Sequence, residues 1–221
     1  MSRILVVAPH PDDETIGCGG TLLRHKARGH EIAWVLVTGI CEAHGWPPGT
    51  VQRRDAEIEK VRQLYGFDVT YRLGFPTTRL DTLPIGDIVA AMSTAFAEFK
   101  PEEVLVPHRS DAHTDHKIVF DAAAACTKWF RYPTVRRVLA YETLSETDMA
   151  LGLSGCFKAN SFANITDFLE RKLEIMQVYE SEVGMFPFPR SLEALRALAA
   201  LRGAGAGYAA AEAFELLRER E

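Results

Sequence analysis

The stretch "RILVVAPHPDDETIGCGGTLLRHKARGHEIAWVLVT", residues 3–38, decides the fold. Its two ends, Arg3 to Pro9 and Glu31 to Thr38, are short apolar runs rich in β-branched residues, as in strands buried on both faces. Between them, "ETIGCGGTLLRHKARG" spaces Ile16, Leu22, Leu23 and Ala27 at roughly helical intervals and stops at Gly29, a C-terminal cap. Strand, helix and strand in this order make a βαβ opening, the unit of a parallel sheet.

The pattern continues outward. A Gly/Pro-rich loop over 39–50 leads to a charged helix, "VQRRDAEIEKVRQLYGF", and the strand "DVTYRL". After a second loop over 74–84 come the helix "PIGDIVAAMSTAFAEFK", the strand "EVLVP", the segment "HRSDAHTDHK" and the helix "IVFDAAAACTKWF". The strand "TVRRVLAYE" is followed by an irregular stretch to about Asn164, then helices over "ITDFLERKLEIMQVYESE" and "SLEALRALAALRG". The alanines of the tail "AAAEAFELLRER" favour helix, with a final strand as the other option. Together these elements predict an α/β fold with a Rossmann-like open, mostly parallel sheet and helices on both faces. A single domain spanning 1–221 is expected, with a helical C-terminal portion from about 165.

The chain has 221 residues, 47% of them apolar, enough for a substantial core. Its cysteines, Cys18, Cys41, Cys126 and Cys156, show no paired spacing, which argues against a thiolate zinc site and a disulfide framework and fits a reducing cytoplasm. No apolar run is long enough to cross a bilayer and no leader precedes "ILVVAP", so a soluble, cytoplasmic protein is expected. The net charge of −5 is spread out and no basic block appears, which argues against a nucleic-acid partner.

Open α/β sheets bind ligands outside the carboxyl ends of their strands. Both charged clusters fall there: "HPDDE" after the first strand and "HRSDAHTDH" after "EVLVP". His10 and Asp13 are three apart, and so are His113 and His116, with Asp115 between them and His108 upstream. A catalytic zinc site takes three nitrogen or oxygen ligands and leaves a position open. His10, Asp13 and one of the two downstream histidines would supply them. Asp12, beside a ligand but pointing elsewhere, is placed as a general base toward metal-activated water. The remaining histidine would stabilise an oxyanion or protonate a leaving amine if Asp115 kept it charged. "DDET" alone is also a helix start with an acidic cap, and "HTDH" alone is also a solvated face. Their joint occurrence at strand ends favours the metal site. "GCGG" lacks dinucleotide-binding spacing and reads as tight helix-to-sheet packing. His25, His30 and His44 have no partners at ligand spacing and read as surface residues.

"APHPDDETIGCGG" with "PHRSDAHTDHK" resembles the LmbE-like, or PIG-L-type, zinc-dependent de-N-acetylases, which act on N-acetylglucosamine-containing compounds. "RRDAEIEKVRQLYGF", "YETLSET", "RKLEIMQVYESE" and "PRSLEALRALAALRG" have counterparts there, so the resemblance covers nearly the whole chain. It implies an LmbE-like fold, with His10, Asp13 and His116 as metal ligands and Asp12 as the base. It further implies His113 as the electrophilic histidine, with Asp115 holding its ring. Arg54, or Arg53 beside it, matches a substrate-contacting arginine, and Arg190 is a second candidate. Zn2+ is the implied cofactor, with another divalent metal such as Fe2+ suiting the same ligands. The chain departs from the family at "FPTTRLD", in place of Pro-Asp-Gly, and at "FPFPRS", which lacks a histidine before Pro-Arg-Ser; both touch substrate choice. A small N-acetylated sugar conjugate is the expected partner, and a homo-oligomer is allowed because relatives often assemble. Arg53, Arg54, Arg72, Arg79, Arg109 and Arg190 near loops and helix starts admit an anionic group on that conjugate. The rival readings are a two-metal phosphoesterase and a non-catalytic sugar-binding module.

Overall fold

Ile4, Val6 and Ala8 of the first strand pack into one core layer and Leu5 and Val7 into another, so alternate residues of one strand serve opposite faces of one sheet. The computed structural model describes residues 1–151 and 155–221; residues 152–154, within the stretch read as irregular, lie outside the described residues. The strands are β1 (Arg3–Ala8), β2 (Glu31–Gly39), β3 (Val69–Pro76), β4 (Glu103–Pro107), β5 (Arg137–Tyr141), β6 (Ser161–Asn164) and β7 (Ala211–Glu219). The helices are α1 (Asp13–Ala27), α2 (Pro48–Tyr65), α3 (Ile85–Phe99), α4 (Thr114–Ala125), α5 (Leu169–Met176) and α6 (Leu192–Ala206).

These strands form one seven-stranded sheet of order β3-β2-β1-β4-β5-β7-β6. The five strands from β3 to β5 are parallel, and β7 runs antiparallel to both β5 and β6. Ile58, Val61 and Tyr65 of α2 share a core layer with α1, α5 and α6, whereas α3 and α4 fill the layer on the other face. Right-handed crossovers require this division, because the chain moves outward from β1 to β3 and then returns to β4 on the other side of β1. The order therefore reverses between β1 and β4. A crevice opens at that point, outside the carboxyl ends of both strands.

Three expectations need correction. The helix after β4 runs from Thr114 to Ala125, earlier at both ends than the apolar run, and its early start is set by the His113 ring, which caps it by accepting the Asp115 N–H at 3.1 Å. The run Ile165 to Glu182 is not one helix: α5 spans only Leu169–Met176, and the residues just before the run form β6. The portion after 165 is not purely helical, because its tail is β7, inserted between β5 and β6. Ala210, Ala211 and Ala213 are buried there, and pairing on both edges overrides alanine's helical preference.

Helix α1 is kinked at Cys18 (φ −145°, ψ 19°), and side chains replace the broken hydrogen bonds. The Glu212 carboxylate of β7 accepts the N–H groups of Gly20 and Thr21 at 2.8 and 2.7 Å, while the Lys172 ammonium of α5 donates to the Ile16 carbonyl at 2.8 Å. Lys172 and Glu212 are themselves paired at 2.7 Å and buried. "GCGG" does serve close packing: a Cβ on Gly17 would stand 2.2 Å from the Tyr141 ring. Among the described residues, no helix is long and apolar enough to cross a membrane.

Candidate active site

The segment after β1 turns sharply into α1, and the segment after β4 turns into α4, so "HPDDE" and "HTDH" meet across the crevice. The His10 and His113 rings are 4.5 Å apart at their centroids, and His10 and His116 are 5.3 Å apart. A cavity of about 210 Å3 opens above them, lined also by Asp12, Asp13, Arg54 and Arg190. A roomier cavity of about 310 Å3, between Thr147, Phe157 and Arg202, contains neither candidate ligand set.

Asp13 Oδ2 is 3.3 Å from His10 Nδ1 and 3.3 Å from His116 Nε2, and it also accepts the His10 N–H at 2.8 Å. These three side chains offer ligand atoms that all lie within 4.8 Å of one another. The opposite ring nitrogens are held by carboxylates: His10 Nε2 lies 3.1 Å from Asp115 Oδ2, and His116 Nδ1 lies 2.8 Å from Asp111 Oδ2. A carboxylate on the outer nitrogen fixes ring orientation and is what metal-ligating histidines use. Burial works to lower the pKa of His10, but hydrogen bonds to Asp115 and Asp13 push it up to about 9. Burial likewise opposes His116, yet the Asp13 charge and the bond to Asp111 push it up to about 10. Burial raises Asp13 less than His116 and His10 lower it, so its carboxyl stays below the usual range. Without a metal the cluster holds protons where a cation would sit, so the residues fit a divalent metal.

His10, His113 and Asp115 also lie within ligand reach of one another. There, however, the donors are spoken for: Asp115 accepts from Thr78 N–H at 2.7 Å and Leu80 N–H at 3.2 Å as well as meeting His10. This corrects one expectation. The Asp115 carboxylate holds the ring of His10, not that of His113. His113 is held instead through Nδ1, which accepts the backbone N–H of Asp115 and leaves Nε2 to carry the proton. Burial, helped by His10 and His116, lowers the His113 pKa, which favours the neutral ring over the charged one expected from the sequence.

Asp12 is the residue before α1, with φ 135° and no capping bond from its side chain. Its carboxyl is buried; that burial, with Asp13 and Glu182 nearby, raises its pKa well above the ordinary carboxylate value, against the pull of Arg190 and His10. Arg190 Nη1 stands 4.0 Å from Asp12 Oδ2.

Of the six arginines singled out, Arg54 and Arg190 line the cavity. Arg53 is exposed, Arg72 pairs with Asp55 and Arg109 with Asp121, and Arg79 is outside it. Arg54 donates to Glu182, to Ser181 Oγ at 2.9 Å and weakly to the Pro11 carbonyl at 3.4 Å. Arg190 donates to the Glu182 carbonyl at 3.1 Å and carboxylate at 3.3 Å, so one carboxylate bridges both guanidinium groups.

Sequence reasoning missed Asp111, although it stood inside the second cluster, five residues before the histidine it holds. It also missed Glu182, which carried no signal because a turn after α5 brings it to the cavity. His25, expected on the surface, is buried between His30 at 3.1 Å and Glu103 at 3.3 Å.

The whole chain aligns with a solved structure, the conserved protein TT1542 from Thermus thermophilus, at 27% identity and a TM-score of 0.79, covering 97% of it. YaiS of Escherichia coli K12, described as an uncharacterized deacetylase, is 29% identical over 64% of this chain and 74% of its own length. Diacetylchitobiose deacetylase of Thermococcus kodakarensis is 25% identical over 82% of this chain and 70% of its own. Residues 5–127, more than half of the chain and including both histidine-carboxylate clusters, match the family model described as PIG-L: GlcNAc-PI de-N-acetylase. The chain belongs to that PIG-L family, with the LmbE-like architecture described above.

Proposed function

We propose that the protein is a zinc-dependent amidohydrolase that removes the acetyl group from an N-acetylglucosamine-type sugar conjugate, releasing acetate and a free amine. The observation that carries this reading is the convergence of His10 Nδ1, Asp13 Oδ2 and His116 Nε2 beside a buried carboxyl whose pKa is raised, Asp12. Membership of the PIG-L family and the likeness to diacetylchitobiose deacetylase support the acetamide as the bond cleaved.

When bound by His10, Asp13 and His116, zinc would acidify a water molecule and polarise the acetyl carbonyl. Asp12 accepts the proton of the attacking water, and the burial that raises its pKa makes it a stronger base than an ordinary carboxylate. The Nε2–H of His113 donates to the carbonyl oxygen as negative charge gathers there; a neutral imidazole serves, because its Nδ1 is fixed by the Asp115 N–H. As the tetrahedral carbon collapses, the C–N bond breaks and Asp12 returns its proton to the departing nitrogen. Arg54 and Arg190 orient the sugar conjugate. Glu182 bridges both guanidinium groups, Glu57 Oε2 lies 3.4 Å from Arg54 Nε and Asp12 Oδ2 lies 4.0 Å from Arg190 Nη1, so the two arginines act as fixed hydrogen-bond donors to a polar substituent with their charges offset.

Zinc-loaded protein is incubated with diacetylchitobiose and with inositol-, malate- and nucleotide-linked N-acetylglucosamine, and acetate and amine are quantified. Stoichiometric release of both from at least one of them supports the reading. Silence on every acetamide, with turnover of phosphoesters and two metal ions per chain, would replace it with the phosphoesterase.

A further inference from the structure

A non-glycine residue at φ 135° is strained, and Asp12 holds that conformation at the point where its carboxyl enters the cavity. The bond that fixes its backbone comes from two residues ahead: the Asp12 N–H donates to Glu14 Oε2 at 3.2 Å. Glu14 is fully buried and cannot swing away. Its Oε1 accepts from Thr15 Oγ1 at 2.6 Å and from the Tyr179 hydroxyl at 2.9 Å. The Tyr65 hydroxyl in turn donates to Thr15 Oγ1 at 3.0 Å, and Gly19 makes room for it, since a Cβ there would stand 2.4 Å from that oxygen. Thr15 of α1 and Tyr179 of the turn after α5 thus hold one carboxylate directly, and Tyr65 of α2 supports it through Thr15; that carboxylate touches the backbone of Asp12 and does not line the cavity.

We infer that Glu14 is a positioning residue, which holds the Asp12 backbone in its left-handed conformation by accepting its N–H and so aims the Asp12 carboxyl into the cavity. The inference rests on the reading of Asp12 as the base. It makes hydrogen-bond acceptance, not negative charge, the property required at position 14. A glutamine can turn its carbonyl to the Asp12 N–H, while the hydroxyls of Thr15 and Tyr179 rotate to accept from its amide. A leucine of similar shape offers no acceptor.

The test compares the zinc-loaded wild type with Glu14→Gln, Glu14→Leu, Tyr179→Phe and Asp12→Asn, using diacetylchitobiose as assay substrate and measuring kcat, KM and zinc affinity separately. Glu14→Leu is expected to lower kcat about 100-fold, with KM and zinc affinity within about twofold, because an aimed base contributes chiefly in the transition state. Glu14→Gln is expected to keep kcat within about threefold, and Tyr179→Phe, which loosens Glu14 without disturbing the core volume, to lower it about fivefold. Hydrogen exchange at the Asp12 amide needs no substrate: protection in the wild type and Glu14→Gln, and at least about tenfold faster exchange in Glu14→Leu, is the expected pattern. If Asp12→Asn turns over normally, the base reading fails and the inference with it. If Asp12→Asn is inactive but Glu14→Leu keeps wild-type kcat and amide protection, the positioning role alone is overturned. Equal losses in Glu14→Gln and Glu14→Leu would also overturn it, by showing that charge is what matters. Should Glu14→Leu fail to fold, an unchanged kcat in Tyr179→Phe decides against the proposal.

Discussion

Asp111 Oδ2 lies 2.8 Å from His116 Nδ1, and this contact turns the opposite ring nitrogen, Nε2, toward Asp13. Asp111 is itself held by the Thr147 hydroxyl, which donates to its other oxygen at 2.7 Å. Replacing Asp111 with alanine leaves His116 free to rotate and to change tautomer. Asp111→Ala is expected to weaken metal binding about 10- to 100-fold, measured by competition with a chromogenic chelator. An unchanged affinity would show that this carboxylate does not orient the ligand.

Asp12 and His116 stand on opposite sides of the proposed chemistry. Asp12→Asn keeps the ligand set and is expected to retain metal while losing about 100- to 10,000-fold in kcat. His116→Ala is expected to lose the metal first. Metal content and kcat measured on the same preparations separate the two. Because burial raises the Asp12 pKa, activity of the wild type should climb with pH through that raised value as the carboxyl becomes a base. The acid limb should disappear from whatever activity Asp12→Asn retains.

The metal-free protein has a stability signature of its own. His10 and His116 bind protons more tightly folded than unfolded, with pKa values pushed up to about 9 and about 10 from 6.5. Their contribution is therefore complete below pH 6.5 and is lost as pH rises through 9 and 10. Thermal denaturation of the metal-free protein should show a Tm that falls over this window. Saturating zinc, which takes the place of those protons, should flatten the fall.

The Lys172–Glu212 pair bridges the kink in α1, and both side chains are buried. Removing one partner leaves an uncompensated charge and unpaired backbone groups at the kink. Lys172→Met is expected to cost about 3–5 kcal/mol of stability, read from the midpoint of urea unfolding. The double variant Lys172→Met, Glu212→Gln should recover part of that loss, because it removes the unpaired charge while keeping an acceptor for the Gly20 and Thr21 N–H groups.

Arg54 lines the cavity whereas Arg53 is exposed. Arg54→Ala is expected to raise KM about tenfold with a smaller effect on kcat, as for a group that binds substrate and transition state alike. Arg53→Ala should change neither by more than about twofold. The same kinetic assay run on both variants decides which arginine meets the substrate.

Local pattern was enough for the βαβ opening, for the succession of β1 to β5 along the chain, and for placing two charged clusters at strand ends. Each of these depends on periodicity and spacing along a short piece of chain, which the residues 3–38 and 103–116 display directly. The tail was undecidable by the same means. Its alanines prefer a helix in isolation, and only pairing with β5 and β6 makes Ala211–Glu219 a strand. The division of labour within the clusters also escaped the spacing. His113 and His116 are equally spaced candidates, and Asp115 adjoins His116 and lies two residues from His113. Helix α4 begins between the two histidines, so one ring caps it through its own nitrogen while the other turns inward to Asp13. Asp115 then meets His10, which is 105 residues away in sequence, because β1 and β4 are neighbours in the sheet. What the sequence by itself determined was which residues are chemically equipped and at which strand ends they stand. Which carboxylate steadies which ring, and how Asp12 is held toward the cavity, was decided by tertiary structure, since hydrogen-bond partners are set by distance and direction across the crevice.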